Sequence, residues 1–133
     1  PSELLWCKQG LPPGDLVLGL TMDRAALIVR AEARVDRMVT HGFADEVRLL
    51  LDRGYGPSLP AMSSIGYRQM ARHVLGEVDL QTATARVKQE TRRLIRRQHA
   101  WFGPSDARIV WLDGSQPEAA VLKAVHLIER SRQ

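Results

Sequence analysis

Apolar residues recur along this chain in two patterns. Leu16-Val17-Leu18-Gly19-Leu20 is a short continuous apolar run. It is too short for a buried helix and suits a strand covered on both faces. Arg108-Ile109-Val110-Trp111-Leu112-Asp113 is a second strand of the same kind. Elsewhere the spacing is helical. Leu27, Ile28, Ala31, Val35, Met38 and Val39 predict a helix over 24–40, with Thr21 or Asp23 as its cap and His41-Gly42 as its stop. Phe43, Val47, Leu50 and Leu51 share one face of a second helix over about 43–53, closed by Gly54. Residues 55–64, with Gly56, Pro57, Pro60 and three serines, read as a loop. A short helix over 65–75 ends at Gly76. The longest helix runs from Leu80 to about Trp101, with Asp79 as its cap and Gly103-Pro104 as its end. Its apolar stripe is modest: Val87, Thr91, Leu94, Gln98 and Trp101. Pro117 starts a last helix in which Ala120, Leu122, Val125, Leu127 and Ile128 can pack.

Strand, several helices, strand, helix is the order of an α/β fold, mostly helical, whose two short strands form a parallel pair. Two strands alone make a poor sheet with open edges. The chain therefore reads as part of a larger domain. Residues 1–14 end in Gly10-Leu11-Pro12-Pro13-Gly14 and read as a linker, with 15–133 as the body.

Composition narrows the class. At 133 residues, 44% apolar and 26% charged, the chain is long enough for a core and ordinary for a globular protein. No apolar run approaches the ~18 residues of a membrane span. Cys7 is the lone cysteine, so neither an internal disulfide nor a multi-cysteine zinc site is available, and a reducing, cytoplasmic setting is the expectation.

Charge changes the picture more. Sixteen of the nineteen basic residues are Arg. Arg86, Lys88, Arg92, Arg93, Arg96 and Arg97 face a single acid, Glu90, so that window is net +5 in a chain of net +4. The rest of the chain is close to neutral and carries one basic stripe. Guanidinium forks suit phosphate oxygens. Like charges at i and i+4 weaken an isolated helix by about 0.2–0.5 kcal/mol per pair, and an anion offsets that. RNA is the leading anion, since His99 and Trp101 add stacking surfaces. A solvated face, or pairing of these arginines with acids elsewhere in the fold, explains the same stripe. Arg34, at the edge of an apolar stripe, is either an anion ligand or a side chain snorkelling from the core edge. The loop from Leu59 to Arg68 is either an ordinary connection or a close-approach surface for a nucleic-acid backbone. There is no GxxxxGK[ST] loop, no GxGxxG and no metal-ligand spacing among His41, His73, His99 and His126.

Five segments then carry a resemblance. Arg34-Val35-Asp36-Arg37-Met38 with Gly42-Phe43-Ala44-Asp45-Glu46-Val47 resembles the RVDxMxxxGLxDEV segment of tRNA dimethylallyltransferases. Ala61-Met62-Ser63-Ser64-Ile65-Gly66-Tyr67-Arg68-Gln69 is similar to that family's AMxxIGYKE loop. Thr91 through Phe102 resembles its TRxYAKRQxTWF helix, Val110-Trp111-Leu112-Asp113 its xWLD strand, and Pro1 through Trp6 its PLSELW linker. The order is that of the family.

The resemblance implies the C-terminal part of a P-loop-type parallel-sheet core. It implies transfer of a dimethylallyl group from dimethylallyl diphosphate to N6 of the adenosine 3′ of the anticodon, on a base flipped into a channel. Arg34 matches the family arginine that contacts diphosphate and is the implied catalytic residue. Ser58, Leu59, Pro60, Ala61, Met62 and Ser63 match the loop, and Thr91, Arg92, Arg93, Leu94, Ile95, Arg96, Arg97 and Gln98 the helix, that hold the tRNA anticodon stem-loop. Mg²⁺ is the implied cofactor, with no ligand for it identified in this chain. The intact family member is expected to be a monomer with no membrane partner. The family's phosphate loop and general-base aspartate belong to its N-terminal half and have no match here, so these residues alone are expected not to catalyse transfer. A stand-alone RNA-binding helical module without chemistry, or a helical protein with an acidic partner, fits the same stripe.

Overall fold

The computed structural model describes residues 15–103 and 106–131. The expected linker over 1–14 lies outside them. Two compact units divide the chain, one of Pro1–Asp23 with His99–Gln133 and one of Arg24–Gln98.

In the first unit, β1 (Val17–Thr21) and β2 (Ile109–Asp113) pair in parallel, from Val17 opposite Ile109 to Thr21 opposite Asp113. β-Branched residues at both ends of β1 and at the start of β2 favour the extended backbone. Gly19 lies opposite Trp111. A Cβ there would stand 2.6 Å from the indole ring and 2.7 Å from Ile109, so only glycine fits beneath that ring. The indole N–H of Trp111 is buried without an acceptor among the described residues. Arg108 grips Asp106 through Nε at 2.8 Å, Nη2 at 2.6 Å and its own backbone N–H at 3.0 Å. The side-chain bonds foremost pull the Asp106 carboxyl down to about 2. After β2, the Asp113 carboxylate accepts the Ser115 N–H at 2.8 Å and its hydroxyl at 2.6 Å, closing the strand in an Asx turn. α5 (Pro117–Ser131) follows, numbering five α-helices in chain order, with proline at its first position. Leu112 and Ala120 are buried in this unit. The expectation that Leu122, Val125 and Ile128 pack is corrected: they are 72%, 49% and 41% exposed, and Leu20 is 70% exposed. Helical spacing marked an apolar face, but no described residue covers it.

The second unit holds α1 (Arg24–Thr40), α2 (Phe43–Asp52), a 3₁₀ turn (Pro60–Ser63), α3 (Tyr67–Val74) and α4 (Leu80–Trp101) up to Gln98. Its core is Phe43, Val47, Met62, Met70 and Ala71, flanked by Met38, Val39, Leu50, Leu51, Tyr67 and Val74. The Phe43 and Tyr67 rings meet edge to face with centroids 5.2 Å apart. The Tyr67 hydroxyl donates to Glu46 at 2.5 Å, and that bond raises the phenol's pKa.

The helix expected over 65–75 begins at Tyr67 instead. Gly66 has φ 100° and ψ −62°, which is not helical, and its N–H donates to Gln69 Oε1 at 2.9 Å. Gln69 thus caps its own helix from within, and is itself buried. The stretch expected as loop contains the 3₁₀ turn. Pro60 starts it, and the Ser63 and Ser64 hydroxyls donate back to the Pro60 and Ala61 carbonyls at 2.6 and 2.7 Å.

Candidate nucleic-acid interface

α4 begins on a well-made cap. Asp79 accepts the Thr82 N–H at 2.6 Å and the Thr82 hydroxyl at 3.0 Å, and these bonds, the backbone one first, lower its pKa. From there about 100° of turn per residue sorts the helix into three arcs. Ala83 and Val87 form the buried arc, with Thr91 partly covered and its hydroxyl bonded to the Val87 carbonyl at 2.9 Å. The stripe expected from spacing is corrected at both ends. Ala83 belongs to it, whereas Leu94 is 37% exposed and Trp101 53%.

The second arc carries Lys88 and Arg92, and here two acids on α1 meet them. Arg92 Nη1 bonds Glu32 Oε1, and Lys88 Nζ lies 2.7 Å from Asp36 Oδ1. Cations four apart on α4 face carboxylates four apart on α1 in an antiparallel ladder. Pairing with acids elsewhere in the fold therefore accounts for part of the basic stripe. Arg92, expected as an RNA contact, spends at least one N–H on Glu32. Two acids at i and i+4 on α1 were the only sequence signal for this.

The third arc holds Arg86, Gln89, Glu90, Arg93 and Arg97. Arg93 pairs with Glu90 at 2.7 Å one turn back. Arg96, at the border of the second and third arcs, and Arg97 are exposed and have no partner among the described residues. Ile95 is half-buried and Gln98 exposed. Among the described residues the unpaired charge of the stripe thus lies at its two ends, on Arg86 at the start and on Arg96 and Arg97 at the C-terminal end.

In the loop, Ser58, Leu59, Pro60, Ala61 and Ser63 are exposed, while Met62 is buried in the core and pins the turn. The Ser63 and Ser64 hydroxyl hydrogens are committed to loop carbonyls. Their oxygens remain as acceptors, which suits a 2′-hydroxyl or a base amine rather than a phosphate. Arg34 is exposed on α1 with no hydrogen bond or ion pair among the described residues. No such contact joins it to the loop or to α4.

Sequence reasoning missed one feature. Arg68, Gln69 and Arg72 of α3 and Arg86, Gln89 and Glu90 of α4 line a groove of about 300 Å³. Its signal was Arg68 and Arg72 one turn apart on a short helix. Among the described residues no three His, Cys, Asp or Glu side chains gather as a metal site would need, and no helix is long and apolar enough to cross a membrane.

The family model described as IPP transferase matches residues 6–105. The tRNA dimethylallyltransferase 1 of Pelobacter propionicus is 44% identical over 109 residues, covering 82% of this chain and 35% of that protein. The tRNA dimethylallyltransferase of Symbiobacterium thermophilum is 46% identical over 105 residues, covering 79% of this chain and 32% of that protein. The crystal structure of the Bacillus halodurans tRNA isopentenylpyrophosphate transferase superposes with a TM-score of 0.78 at 32% identity, over 92% of this chain and 41% of that one. The chain spans about a third of the length of the curated relatives it matches.

Proposed function

The chain belongs to the IPP transferase family, and from that premise we propose that it is the RNA-holding portion of a tRNA dimethylallyltransferase. The reaction of the whole protein is transfer of a dimethylallyl group from dimethylallyl diphosphate to N6 of the adenosine 3′ of the anticodon. The amine nitrogen forms the new C–N bond, the C–O bond to diphosphate breaks, and the amine proton leaves to a base. Negative charge grows on the departing diphosphate, and a fixed cation stabilises it. Arg34, exposed and unengaged among the described residues, is the cation this chain offers for that.

The anticodon stem-loop lies against the loop residues Ser58 to Ser63 and the end of α4. One observation carries this reading: Arg96 and Arg97 are exposed and without protein partners among the described residues, while Lys88 and Arg92 are satisfied by α1. Mg²⁺, when bound, supplies further charge for the diphosphate. The described residues gather no ligand set for it, so no step here runs through it. A cytoplasmic setting goes with a tRNA substrate.

The experiment is a salt titration of binding to a tRNA anticodon stem-loop. Arg96→Ala/Arg97→Ala is expected to flatten the log–log slope by about 1.4–1.8 units, at ~0.7–0.9 per phosphate contact. Arg34→Ala is expected to leave the slope unchanged, because its partner is the small diphosphate. A double variant that binds with the unsubstituted chain's slope refutes the reading.

A further inference from the structure

The groove lined by Arg68, Arg72 and Arg86 opens on the arc of α4 that the α1 ladder leaves free. Three guanidinium groups line it against one carboxylate, Glu90. That carboxylate is already engaged by Arg93 at 2.7 Å. Arg72 uses its Nε on Glu77 at 2.6 Å, which leaves its terminal nitrogens free of that bond. Arg68 and Arg86 are exposed and have no partner among the described residues. The Gln69 carbonyl is taken by the Gly66 N–H, so the amide nitrogen is the end left over. The lining is thus rich in donors and poor in free acceptors, the complement of phosphate oxygens.

The extent of the charge selects among anions. Arg86, Arg93 and Arg97 fall on one arc, about 10.5 Å and then about 6 Å apart along the axis at 1.5 Å per residue. A small anion meets one end of such a row, whereas a polyanion meets all of it. The carboxylates that meet cations on this side, Glu77 and Glu90, pair with Arg72 and Arg93, and Arg68, Arg86 and Arg97 are left without a partner among the described residues.

We propose that this groove is a second RNA-backbone site, holding phosphates of the tRNA strand beside those held by Arg96 and Arg97. It rests on the RNA-holding reading of α4 and extends the contact onto α3. Arg68, Arg72 and Arg86 supply charge and bidentate donors. They read no base.

The test uses the full chain, a tRNA anticodon stem-loop and a complete tRNA, each across a salt titration. Arg68→Ala/Arg86→Ala removes two exposed side chains without described partners, and an unchanged thermal melt checks its fold. The expected result is a slope flatter by about 1.4–1.8 units on the complete tRNA. Arg68→Lys/Arg86→Lys is expected to restore most of it, since counterion release follows charge. If Arg96→Ala/Arg97→Ala flattens the slope and Arg68→Ala/Arg86→Ala does not, the groove assignment is overturned while the function reading stands. Failure of the unsubstituted chain to bind either RNA overturns both. Poly-L-glutamate binding as tightly as RNA, with the same dependence on Arg68 and Arg86, assigns the groove to an acidic protein and overturns the RNA assignment.

Discussion

Gly66→Ala is expected to be among the most damaging small changes in the second unit. Two costs add there. The backbone at φ 100° and ψ −62° is a conformation that side-chain-bearing residues avoid, worth about 1–3 kcal/mol. A Cβ would also stand 3.2 and 3.3 Å from Cζ and Cε1 of Phe43. That ring has little room to retreat, because it is 4% exposed in the core and is held edge-on by Tyr67. Overpacking of this kind costs about 1–3 kcal/mol. The sum, about 2–6 kcal/mol, is a large share of the ~5–15 kcal/mol that holds a domain together. Gly54→Ala is the control. Gly54 has φ 87° with nothing within 4 Å of an added Cβ, so only the backbone cost remains, about 1–2 kcal/mol. Both glycines lie in the same unit, so urea unfolding followed by circular dichroism compares them directly. Gly66→Ala should unfold at clearly lower urea and with an unchanged m-value. If the two variants agree within about 0.5 kcal/mol, the contact with Phe43 contributes nothing and the packing argument for this turn is wrong.

Two further outcomes follow from the polar contacts of α4. A double-mutant cycle on Glu32 and Arg92 should give a coupling of about 0.5–1 kcal/mol, held down by their 29% and 43% exposure and fading toward 1 M salt. Arg92→Ala should then cost stability while flattening the RNA salt slope less than Arg97→Ala; equal slopes would show Arg92 to be as free as its neighbour. Asp79→Ala should lower the melting temperature at neutral pH by removing the cap of α4. Because folding lowers the Asp79 pKa from 3.8, the stabilisation is present above that value and is lost as pH falls through the folded pKa. The melting curves of variant and parent should therefore converge in acid, and a gap that persists unchanged below pH 3.8 would refute the cap.

Element types and order were legible in the residues. The period of Leu27 to Val39, the continuous run Val17 to Leu20 and the breaks at Gly54, Gly76 and Gly103 each impose a local conformation. Boundaries were legible to within two residues, and at the start of α3 a side chain decided the difference. α3 starts at Tyr67 because Gln69 satisfies the Gly66 N–H, and no period reports that bond. The 3₁₀ turn exists because two serine hydroxyls turn back onto the chain and Met62 drops into the core. Composition in that stretch signalled only a break.

The basic stripe divides the two kinds of information most clearly. Its place on one helix, and its charge, follow from Arg86 to Arg97 alone, since 3.6 residues per turn puts them there in any fold that keeps the helix. Family membership was likewise written in residue order, through motifs such as Ala61 to Gln69 and Thr91 to Phe102. Which cations are free was not. Glu32 and Asp36 are about sixty and fifty residues from the side chains they engage, and Arg68 meets Arg86 across a groove from a separate helix. Charge is a property of the residue, but its availability depends on what the chain folds against it. That reaches across sequence distances no local pattern spans, and only the tertiary structure decided it.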